Sequence, residues 1–285
     1  MRLKSYAAAI APLALAVAVP TAAWADHHAS AAQHDPAMHA ALMQDNRAED
    51  KARDQYRHPA ETLAFFQVKP GMTVADFMPS GGWYTRVLVP YLGPDGRYIG
   101  LNPDPSLIED EGGRTYMSKL VPNFAEKSPT WNLSGAPVDN ITSADLGAEH
   151  NGTVDRVLIF REMHNLTRMG IAATELERIH ALLKPDGMLG IVQHRARADA
   201  PDDYVTGSKG YMRQADVIAQ VEAQGFELVG TSEINANAKD PANWEGGVWS
   251  LPPSYSGADD EATRAARAAI GESDRMTLLF RKKAA

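Results

Sequence analysis

Apolar residues follow two periodicities along the chain. Short apolar runs bounded by Gly, Pro and Asp predict strands near residues 73–77, 97–101, 138, 155–160, 188–192, 226–230 and 275–280. Between several of these runs, apolar residues recur every three or four positions, which predicts amphipathic helices at 61–68, 84–92, 169–183 and 214–223. Because strands alternate with helices, we expect an α/β protein with a doubly wound, mostly parallel, Rossmann-like sheet.

The first 25 residues have the pattern of a secretory signal peptide. Arg2 and Lys4 precede an apolar run at 7–19, and the sequence Ala-Trp-Ala, which ends at Ala25, matches a small-residue cleavage site. The apolar run has only 13 residues, which is too short for a comfortable membrane span. We therefore predict cleavage after Ala25 and a periplasmic or secreted protein without stable membrane insertion; the alternative is an uncleaved anchor.

The predicted mature chain starts with a histidine-rich stretch that lacks apolar periodicity. Residues 26–45 are therefore expected to be disordered and dispensable for folding. Clustered imidazoles can chelate a metal, but the spacing here matches no fixed ligand geometry, so we predict no metal site; a metal-handling protein that uses these histidines is the weaker alternative. The four histidines of this stretch are His27, His28, His34 and His39.

The remaining residues, 46–285, suit one α/β domain. Its first stretch, 46–56, interleaves charges of both signs and predicts a surface helix. Loss of Arg2 and Lys4 would reduce the 28 basic residues to 26 against 36 acidic ones, so that the net charge would change from −8 to −10. With no basic stripe, we expect no nucleic-acid partner. The absence of cysteine excludes disulfides and thiolate nucleophiles.

The strongest local motif is the connection between the first predicted strand and the helix after it. Residues 78–82 read Met-Pro-Ser-Gly-Gly, and the helix is predicted to begin at Tyr84. A turn of small residues lets a nucleotide-like ligand approach the backbone and the helix N-terminus. The position of this turn in an alternating α/β pattern therefore predicts a ligand site.

This turn resembles the first motif of class I S-adenosylmethionine (SAM) dependent methyltransferases, Asp/Glu-x-Gly-x-Gly-x-Gly. Asp76 matches the acid and Gly82 the last glycine, whereas Met78 and Ser80 replace the first two glycines. Asn102 stands where the superfamily has an acid that binds the ribose. The resemblance implies SAM as the cofactor and a class I methyltransferase sheet with an antiparallel last strand. The cofactor-binding residues that it implies are Asp76, Ser80, Gly81, Gly82, Tyr84 and Asn102.

A second resemblance covers nearly all of the predicted mature chain. The segments that carry it are similar to a family of exported bacterial proteins known as predicted methyltransferases. In that family the turn tends to read Pro-Gly-Gly-Gly, so Pro79 is expected and Ser80 is a departure. The similar segments are Arg57-His58-Pro59-Ala60-Glu61, Lys69-Pro70-Gly71-Met72, Pro79 to Thr85, Phe160-Arg161 with His164-Asn165, Val192 to Ala196, and Gly271 to Met276.

Two histidines follow strands of the predicted sheet, at the edge where open α/β sheets bind their ligands. We expect His164 and His194 to be catalytic, because a neutral imidazole accepts a proton from a hydroxyl, amine or phenol as the methyl group arrives. The alternative is that each histidine only orders the rim of the site. The residues expected to bind the substrate are Trp83, Asn165 and Tyr211.

Two loop features carry further expectations. Arg161 and Glu162 are adjacent in the loop after 155–160, and we expect them to pair with each other. Residues 235–257, which include two Trp and two adjacent Pro, form either a lid over the site or, as is commoner for such loops, a packed surface loop.

Together these patterns predict SAM-dependent methyl transfer to a small-molecule acceptor, in which alignment of the reactants supplies most of the catalysis. The sequence has no Gly-x-Ser-x-Gly elbow, Walker-type Gly-Lys-Ser/Thr or His-Glu-x-x-His. The central motifs of these hydrolases and ATPases are therefore missing. The alternative is a non-catalytic periplasmic small-ligand-binding protein on the same fold, which would suit the departures at Met78, Ser80 and Asn102.

Overall fold

The computed structural model describes residues 35–283, and its strands form a single sheet. The strands are β1 (Thr73–Phe77), β2 (Arg97–Asn102), β3 (Val138–Thr142), β4 (Val154–Phe160), β5 (Leu183–His194), β6 (Phe226–Ser232) and β7 (Arg275–Lys282). Their order is β3-β2-β1-β4-β5-β7-β6, with β7 antiparallel to both neighbours and the other pairs parallel. The predicted fold class, including the antiparallel last strand, is confirmed.

Helices cover both faces of this sheet. They are α1 (Pro36–Leu42), α2 (Asp54–Arg57), α3 (Pro59–Phe65), α4 (Thr85–Leu92), α5 (Glu111–Ser118), α6 (Leu120–Lys127), α7 (Met163–Arg168), α8 (Ala172–Leu182), α9 (Gln214–Glu222) and α10 (Glu261–Ile270). Asp110 and Asp260 cap α5 and α10, because their carboxylates accept hydrogen bonds from backbone N–H groups of the first turn. Between residues 35 and 283, no helix has the length and apolar content needed to cross a bilayer.

Alternate residues of the strands face two separate apolar layers. In β4, Val157 and Ile159 pack in the layer that contains α8 and α9, whereas Leu158 and Phe160 pack with α3 and α4. This period of two is that of a strand. Because both faces are covered, the strand is apolar almost throughout. Burial of each such side chain contributes about 1.5–3 kcal/mol.

The order of the strands places a crevice at the carboxyl ends of β1 and β4. From β1 the chain continues to β2 on one side, while β4 pairs with the other side of β1. Open α/β sheets bind ligands where the strand order reverses in this way. The topology therefore marks the same edge as the sequence motif after β1.

Residues 35–45 are ordered, so the prediction of disorder for 26–45 is wrong for the part that the structure describes. Asp35 caps α1 and also accepts a hydrogen bond of 2.9 Å from the hydroxyl of Tyr91 in α4. Met38 and Ala41 of α1 are buried in the apolar layer that contains α4. Two apolar contacts in a seven-residue helix leave little periodicity to detect. Residues 26–34 and the predicted signal peptide lie outside the described residues.

Residues 46–56 form short 3₁₀ turns and the start of α2, and they are not the surface helix that was predicted. Arg47 is fully buried and pairs with Asp54 at 2.7 Å. The guanidinium groups of Arg47 and Arg57 lie 5.2 and 4.6 Å from the ring of Trp83. These ion-pair and cation–π contacts hold the charged segment against the domain. A mixed-charge pattern does not reveal the cation–π contacts, because Trp83 is distant in sequence from Arg47 and Arg57.

The 235–257 segment is a packed loop. The side chain of Asn235 donates hydrogen bonds to the hydroxyl groups of Thr62 and Thr277. Asp240 accepts a 2.8 Å hydrogen bond from the hydroxyl of Tyr211, and Leu251 is fully buried. Of the two alternatives considered for this segment, the structure favours the packed surface loop.

Met38→Ala should lower the free energy of unfolding by about 2–4 kcal/mol, because it removes a buried side chain from the layer between α1 and α4. Met43→Ala is the matched control, since Met43 is 56% exposed and Met38 only 3%. Chemical denaturation of both variants measures the difference. Equal, small effects would mean that α1 does not stabilise the domain.

Candidate functional site

The turn between β1 and α4 has the backbone of a glycine-rich turn although two of its residues are not glycine. Met78, Ser80 and Gly82 adopt φ values of 56°, 50° and 72°. These alternate positions are those of the glycines in the methyltransferase motif. A left-handed backbone costs a non-glycine residue roughly 1–2 kcal/mol. Met78 and Ser80 therefore keep a strained backbone at a cost in stability, as residues at functional sites often do.

The two glycines of the turn have different roles. A Cβ on Gly81 would meet no atom within 4 Å, because Gly81 lines an open cleft. A Cβ on Gly82 would overlap the ring of Trp131. The space beside Gly82 is therefore filled by the indole of Trp131, and Gly81 is the glycine that lines the cleft. The cofactor-binding role that the resemblance implies for Gly82 stays a prediction.

Asp76 ends its strand inside the protein, beside the cleft. Its side chain is 2% exposed, and it accepts a 3.0 Å hydrogen bond from the hydroxyl of Tyr98. That hydroxyl also lies 2.7 Å from Thr85 Oγ1 at the start of α4. Burial raises the pKa of Asp76 to about 7, while the Tyr98 hydrogen bond and the charge of Arg161 oppose the rise. Near neutral pH, Asp76 therefore exists in both protonation states.

The cleft at the carboxyl ends of β1 and β4 has a volume of about 240 Å³. One wall is aromatic, because the rings of Tyr84 and Phe160 stack at 3.5 Å with an angle of 7°. Much of the rest of the lining, which forms the rim, is charged. The residues that line the cleft are Asp50, Arg53, Arg57, Asp76, Met78, Pro79, Ser80, Gly81, Trp83, Tyr84, Arg86, Phe160, Arg161 and Glu162.

A buried ion cluster supports the charged rim. Arg53 and Arg57 from the segment before α3, and Arg275 from β7, all pair with Glu272. Burial alone would raise the pKa of Glu272, but Arg57, Arg275 and Arg53 outweigh it and lower the pKa to about 2. Glu272 is therefore ionised under all ordinary conditions. Three guanidinium groups share this one carboxylate.

Arg161 and Glu162 lie side by side in the cleft after β4, but they do not form the expected ion pair. Among residues 35–283, the guanidinium of Arg161 has no hydrogen bond and no ion pair. Glu162 instead accepts a 2.7 Å hydrogen bond from the side-chain amide of Asn165. Burial raises the pKa of Glu162 to about 7, against the opposing effects of Asn165 and Arg161. The residue at 161 also adopts a left-handed φ of 65°.

His164 and His194 come together at the same edge. Their ring centroids are 5.8 Å apart, and the ring of Trp249 from the packed loop lies 6.0 Å from His164. Burial lowers the pKa of His164 to about 4, and the charges of Arg168 and Arg161 add to the effect. Burial, with the charges of neighbouring His164 and Arg161, also lowers the pKa of His194. Both imidazoles are therefore neutral at pH 7 and able to accept a proton.

Polar neighbours orient the two imidazoles. His194 Nδ1 lies 2.6 Å from the hydroxyl oxygen of Ser273, and His164 Nδ1 lies 3.4 Å from the side-chain nitrogen of Gln193. The Gln193 amide also donates a 2.7 Å hydrogen bond to the carbonyl of Gly210. The structure thus brings the two predicted histidines together; their catalytic role remains a prediction.

Two of the predicted site residues are placed differently from expectation, whereas Trp83 lines the cleft with Asp76 and its ring packs against Arg57. The substrate-binding role of Trp83 stays a prediction. Tyr211 is fully buried, and its hydroxyl is bound to Asp240, so it supports the packed loop and does not face a crevice. Asn102 is 1% exposed and donates its amide to Asn140 in β3. Hence it offers no donor to the cleft.

Several residues of the site were not found from the sequence. Arg161 carries a detectable signal, because it directly follows a buried strand. Trp131 and Glu272 carry none, because they reach the site from segments about 50 and 190 residues away from Gly82 and are brought there only by folding.

The sequence matches no known family model and no curated protein. The fold is similar to that of the [4+2]-cyclase SpnF, with a TM-score of 0.51, 15% identity, and coverage of 85% of this chain and 86% of that one. It is also similar to the complex of a Haloferax volcanii protein with the Trm112 methyltransferase activator, with a TM-score of 0.50, 16% identity, and coverage of 88% and 99%. An Aquifex aeolicus SAM-dependent methyltransferase gives a TM-score of 0.49 at 21% identity, covering 66% of this chain and 90% of that one.

The similarities to SpnF and to the Haloferax complex show the fold alone, which is a methyltransferase-like α/β fold. At this level of identity they establish no reaction, because one fold carries different chemistries, as the presence of a cyclase among the neighbours illustrates. The resemblance to exported bacterial predicted methyltransferases stays a prediction at the level of the family.

Gly82→Ala should destabilise the domain by about 2–4 kcal/mol, since it adds a Cβ at a φ of 72° and in contact with the Trp131 ring. Gly81→Ala, one residue earlier and facing open space, should change stability by less than about 0.5 kcal/mol. Thermal and denaturant unfolding of this matched pair measures the contrast. Similar losses in both variants would contradict the assignment of Trp131 as the reason for Gly82.

Asp76→Asn should gain stability relative to the parent as the pH rises from 5 to 8. The folded-state pKa of Asp76, about 7, lies above its unfolded value of 3.8. Its stabilising effect is therefore complete below pH 4 and is lost as the pH rises towards 7, by at most about 4 kcal/mol. The asparagine does not titrate and keeps an oxygen for Tyr98. A constant difference in melting temperature between the two proteins across this pH range would show that Asp76 has an ordinary pKa.

Proposed function

We propose that this protein binds SAM at the carboxyl edge of its sheet and transfers the methyl group to a small-molecule acceptor. The observation that carries the proposal is the turn after β1, in which Met78, Ser80 and Gly82 keep the left-handed backbone of a methyltransferase glycine motif beside Asp76. The structural similarity to the Haloferax protein that binds a methyltransferase activator supports the same class.

The cleft fits the amino-acid end of this cofactor. Asp76 offers a carboxylate for the ammonium group, and Gly81 leaves its backbone accessible. The guanidinium groups of Arg53 and Arg57 lie on the same rim and suit the carboxylate. When bound, SAM would supply an electrophilic methyl group on a sulfonium. The role of these residues is to bind and orient it, and orientation is the main part of catalysis in such a transfer.

The nucleoside end is covered in this structure. Ile108, Met117 and Leu120, which belong to the loop after β2 and to α5 and α6, pack in one apolar layer with Leu101 of β2. The volume of 240 Å³ is also below the 300–1,000 Å³ of typical small-molecule pockets. Binding of the whole cofactor therefore requires residues 105–131 to move away from the end of β2.

The acceptor side of the proposal is the edge that holds His164, His194 and Glu162. Glu162, with a pKa of about 7, is the group best matched to removal of a proton from an acceptor. The neutral imidazoles can also accept a proton, but His164, with a pKa of about 4, is the weaker base. The pattern of a signal peptide adds that the reaction would take place in the periplasm or outside the cell.

Calorimetric titration of residues 26–285 with SAM and with S-adenosylhomocysteine tests the proposal, and we expect dissociation constants in the micromolar range, on the order of those of ordinary enzyme ligands. Gly81→Phe should abolish binding without lowering the melting temperature, because the added ring enters the cleft and meets no protein atom at its Cβ. Absence of binding to the parent protein at millimolar ligand, or unchanged binding by Gly81→Phe, would refute the cofactor assignment.

Transfer itself is measured as S-adenosylhomocysteine release from SAM in the presence of a small-molecule extract. His164→Gln and His194→Gln keep hydrogen-bonding side chains but remove the proton acceptors. If a base is required, each should reduce the rate at least tenfold while leaving SAM affinity unchanged. Binding without any release would favour a ligand-binding protein on the same fold.

A further inference from the structure

The cleft contains more positive than negative groups. Five guanidinium groups line it or support its rim, namely Arg53, Arg57, Arg86, Arg161 and Arg275. Four carboxyl groups face them, namely Asp50, Asp76, Glu162 and Glu272. Asp50 pairs with Arg86 and Glu272 with the other three arginines of its cluster. Arg161 is the guanidinium that has no partner within residues 35–283.

The excess of positive charge in the cleft is largest when Asp76 and Glu162, the two carboxyl groups without an arginine partner in the described part of the chain, are protonated. Asp76 and Glu162 both have a pKa of about 7, so neither is a full counter-charge at neutral pH. The charge of Arg161 also lowers the pKa of both Arg57 and Arg275, which shows mutual repulsion between guanidinium groups. Arg161 is only half-buried, but it has no partner among the described residues, so an anion bound beside it would complete the pairing of charges in the cleft.

The anion is not supplied by the cofactor of the proposed reaction. SAM carries a sulfonium and an ammonium group against one carboxylate, so its binding would add positive charge to the cleft. The remaining candidate for the counter-charge is the second ligand. Arg161 is well placed for it, since it follows β4, beside Glu162 and three residues before His164.

We infer that the acceptor is an anion, and that its carboxylate or phosphate group binds to the side chain of Arg161. That this anion is the methyl acceptor rests on the proposed function, whereas the presence of an anion site does not. A guanidinium presents a fork of N–H donors that matches either oxyanion in a bidentate manner. The aromatic wall of Tyr84 and Phe160 offers an apolar surface for the rest of the molecule.

The backbone of Arg161 agrees with a binding role. Its N–H donates a 2.7 Å hydrogen bond to the carbonyl of Val192 in β5, while its φ of 65° places it in a conformation that non-glycine residues rarely adopt. Strain of this kind, at an unpaired charge in a cleft, is typical of functional positions.

Thermal unfolding in potassium acetate and in potassium phosphate, compared with potassium chloride at equal ionic strength, tests the anion site without any cofactor. At about 50 mM, one of the two oxyanions should raise the melting temperature by roughly 3 °C or more over chloride. A response to acetate alone identifies a carboxylate site and a response to phosphate alone a phosphate site. If neither exceeds chloride, the inference is wrong.

Arg161→Gln should lose this shift, and Arg161→Lys should keep only part of it, because lysine retains the charge but not the fork. Arg97→Gln is the matched control: it removes one guanidinium at the opposite end of the sheet, where Arg97 pairs with exposed Asp139, and it should keep the full shift. An equal shift in Arg161→Gln and Arg97→Gln would overturn the role of Arg161. If Arg161→Gln does not fold, Arg161→Lys replaces it in the comparison. A smaller oxyanion-induced rise in melting temperature than in Arg97→Gln supports the role of Arg161, and an equal rise overturns it.

Titration of S-adenosylhomocysteine into Arg161→Gln separates the acceptor from the cofactor. Affinity within threefold of the parent supports an acceptor site, whereas a loss of more than tenfold would assign Arg161 to the carboxylate of the cofactor and overturn the inference. If the parent protein binds the oxyanion but not S-adenosylhomocysteine, the proposed function fails while the anion site stands.

Discussion

The ion cluster around Glu272 is the interaction on which the geometry of the cleft depends. It joins Arg53 and Arg57, which precede the first strand, to Arg275, which begins the last strand. Removing one partner of a buried ion pair typically costs about 3–5 kcal/mol, because an uncompensated charge remains. Here the carboxylate also holds Arg57 over the ring of Trp83 at the entrance of α4. The two ends of the domain and the turn after β1 are therefore coupled through one residue.

Burial acts in opposite directions on the titratable groups of this edge, and both effects reduce their charge. It raises the pKa of Asp76 and Glu162 and lowers that of His164 and His194. Near pH 7 the acids are partly protonated and the imidazoles are neutral. The arginines are then the dominant charges, so the local charge of the cleft is positive although the whole chain is acidic.

The departures from the methyltransferase motif share one physical reason. The side chain of Met78 is buried in the same apolar layer as Met117 of α5, where a glycine would leave a void. Asn102, which stands in place of an acid, is buried, and its side-chain amide donates a hydrogen bond to the side-chain oxygen of Asn140. A carboxylate at this buried position would need a charged partner. Met78 and Asn102 therefore both suit a fold in which residues 105–131 cover the end of β2. Neither residue abolishes the turn between β1 and α4.

The sequence alone determined the class of fold and the edge at which the site lies. Periodicity depends on local burial, so every strand was found. Asp76 and Gly81 were implied by the resemblance of the turn, and His164 and His194 were expected from their positions after strands. The roles of Gly82, Tyr211 and Asn102 were not determined in this way, because each depends on a partner far away in the chain: Trp131, Asp240 and Asn140.

Only the tertiary structure decided which charges are paired. Arg161 and Glu162 are adjacent in sequence, yet Glu162 bonds to Asn165 and Arg161 is left facing the cleft. Five arginines from four separate segments meet at one edge of the sheet through long-range packing. Composition gives the total charge of the chain, but the local field depends on distances between side chains, and folding alone sets those distances.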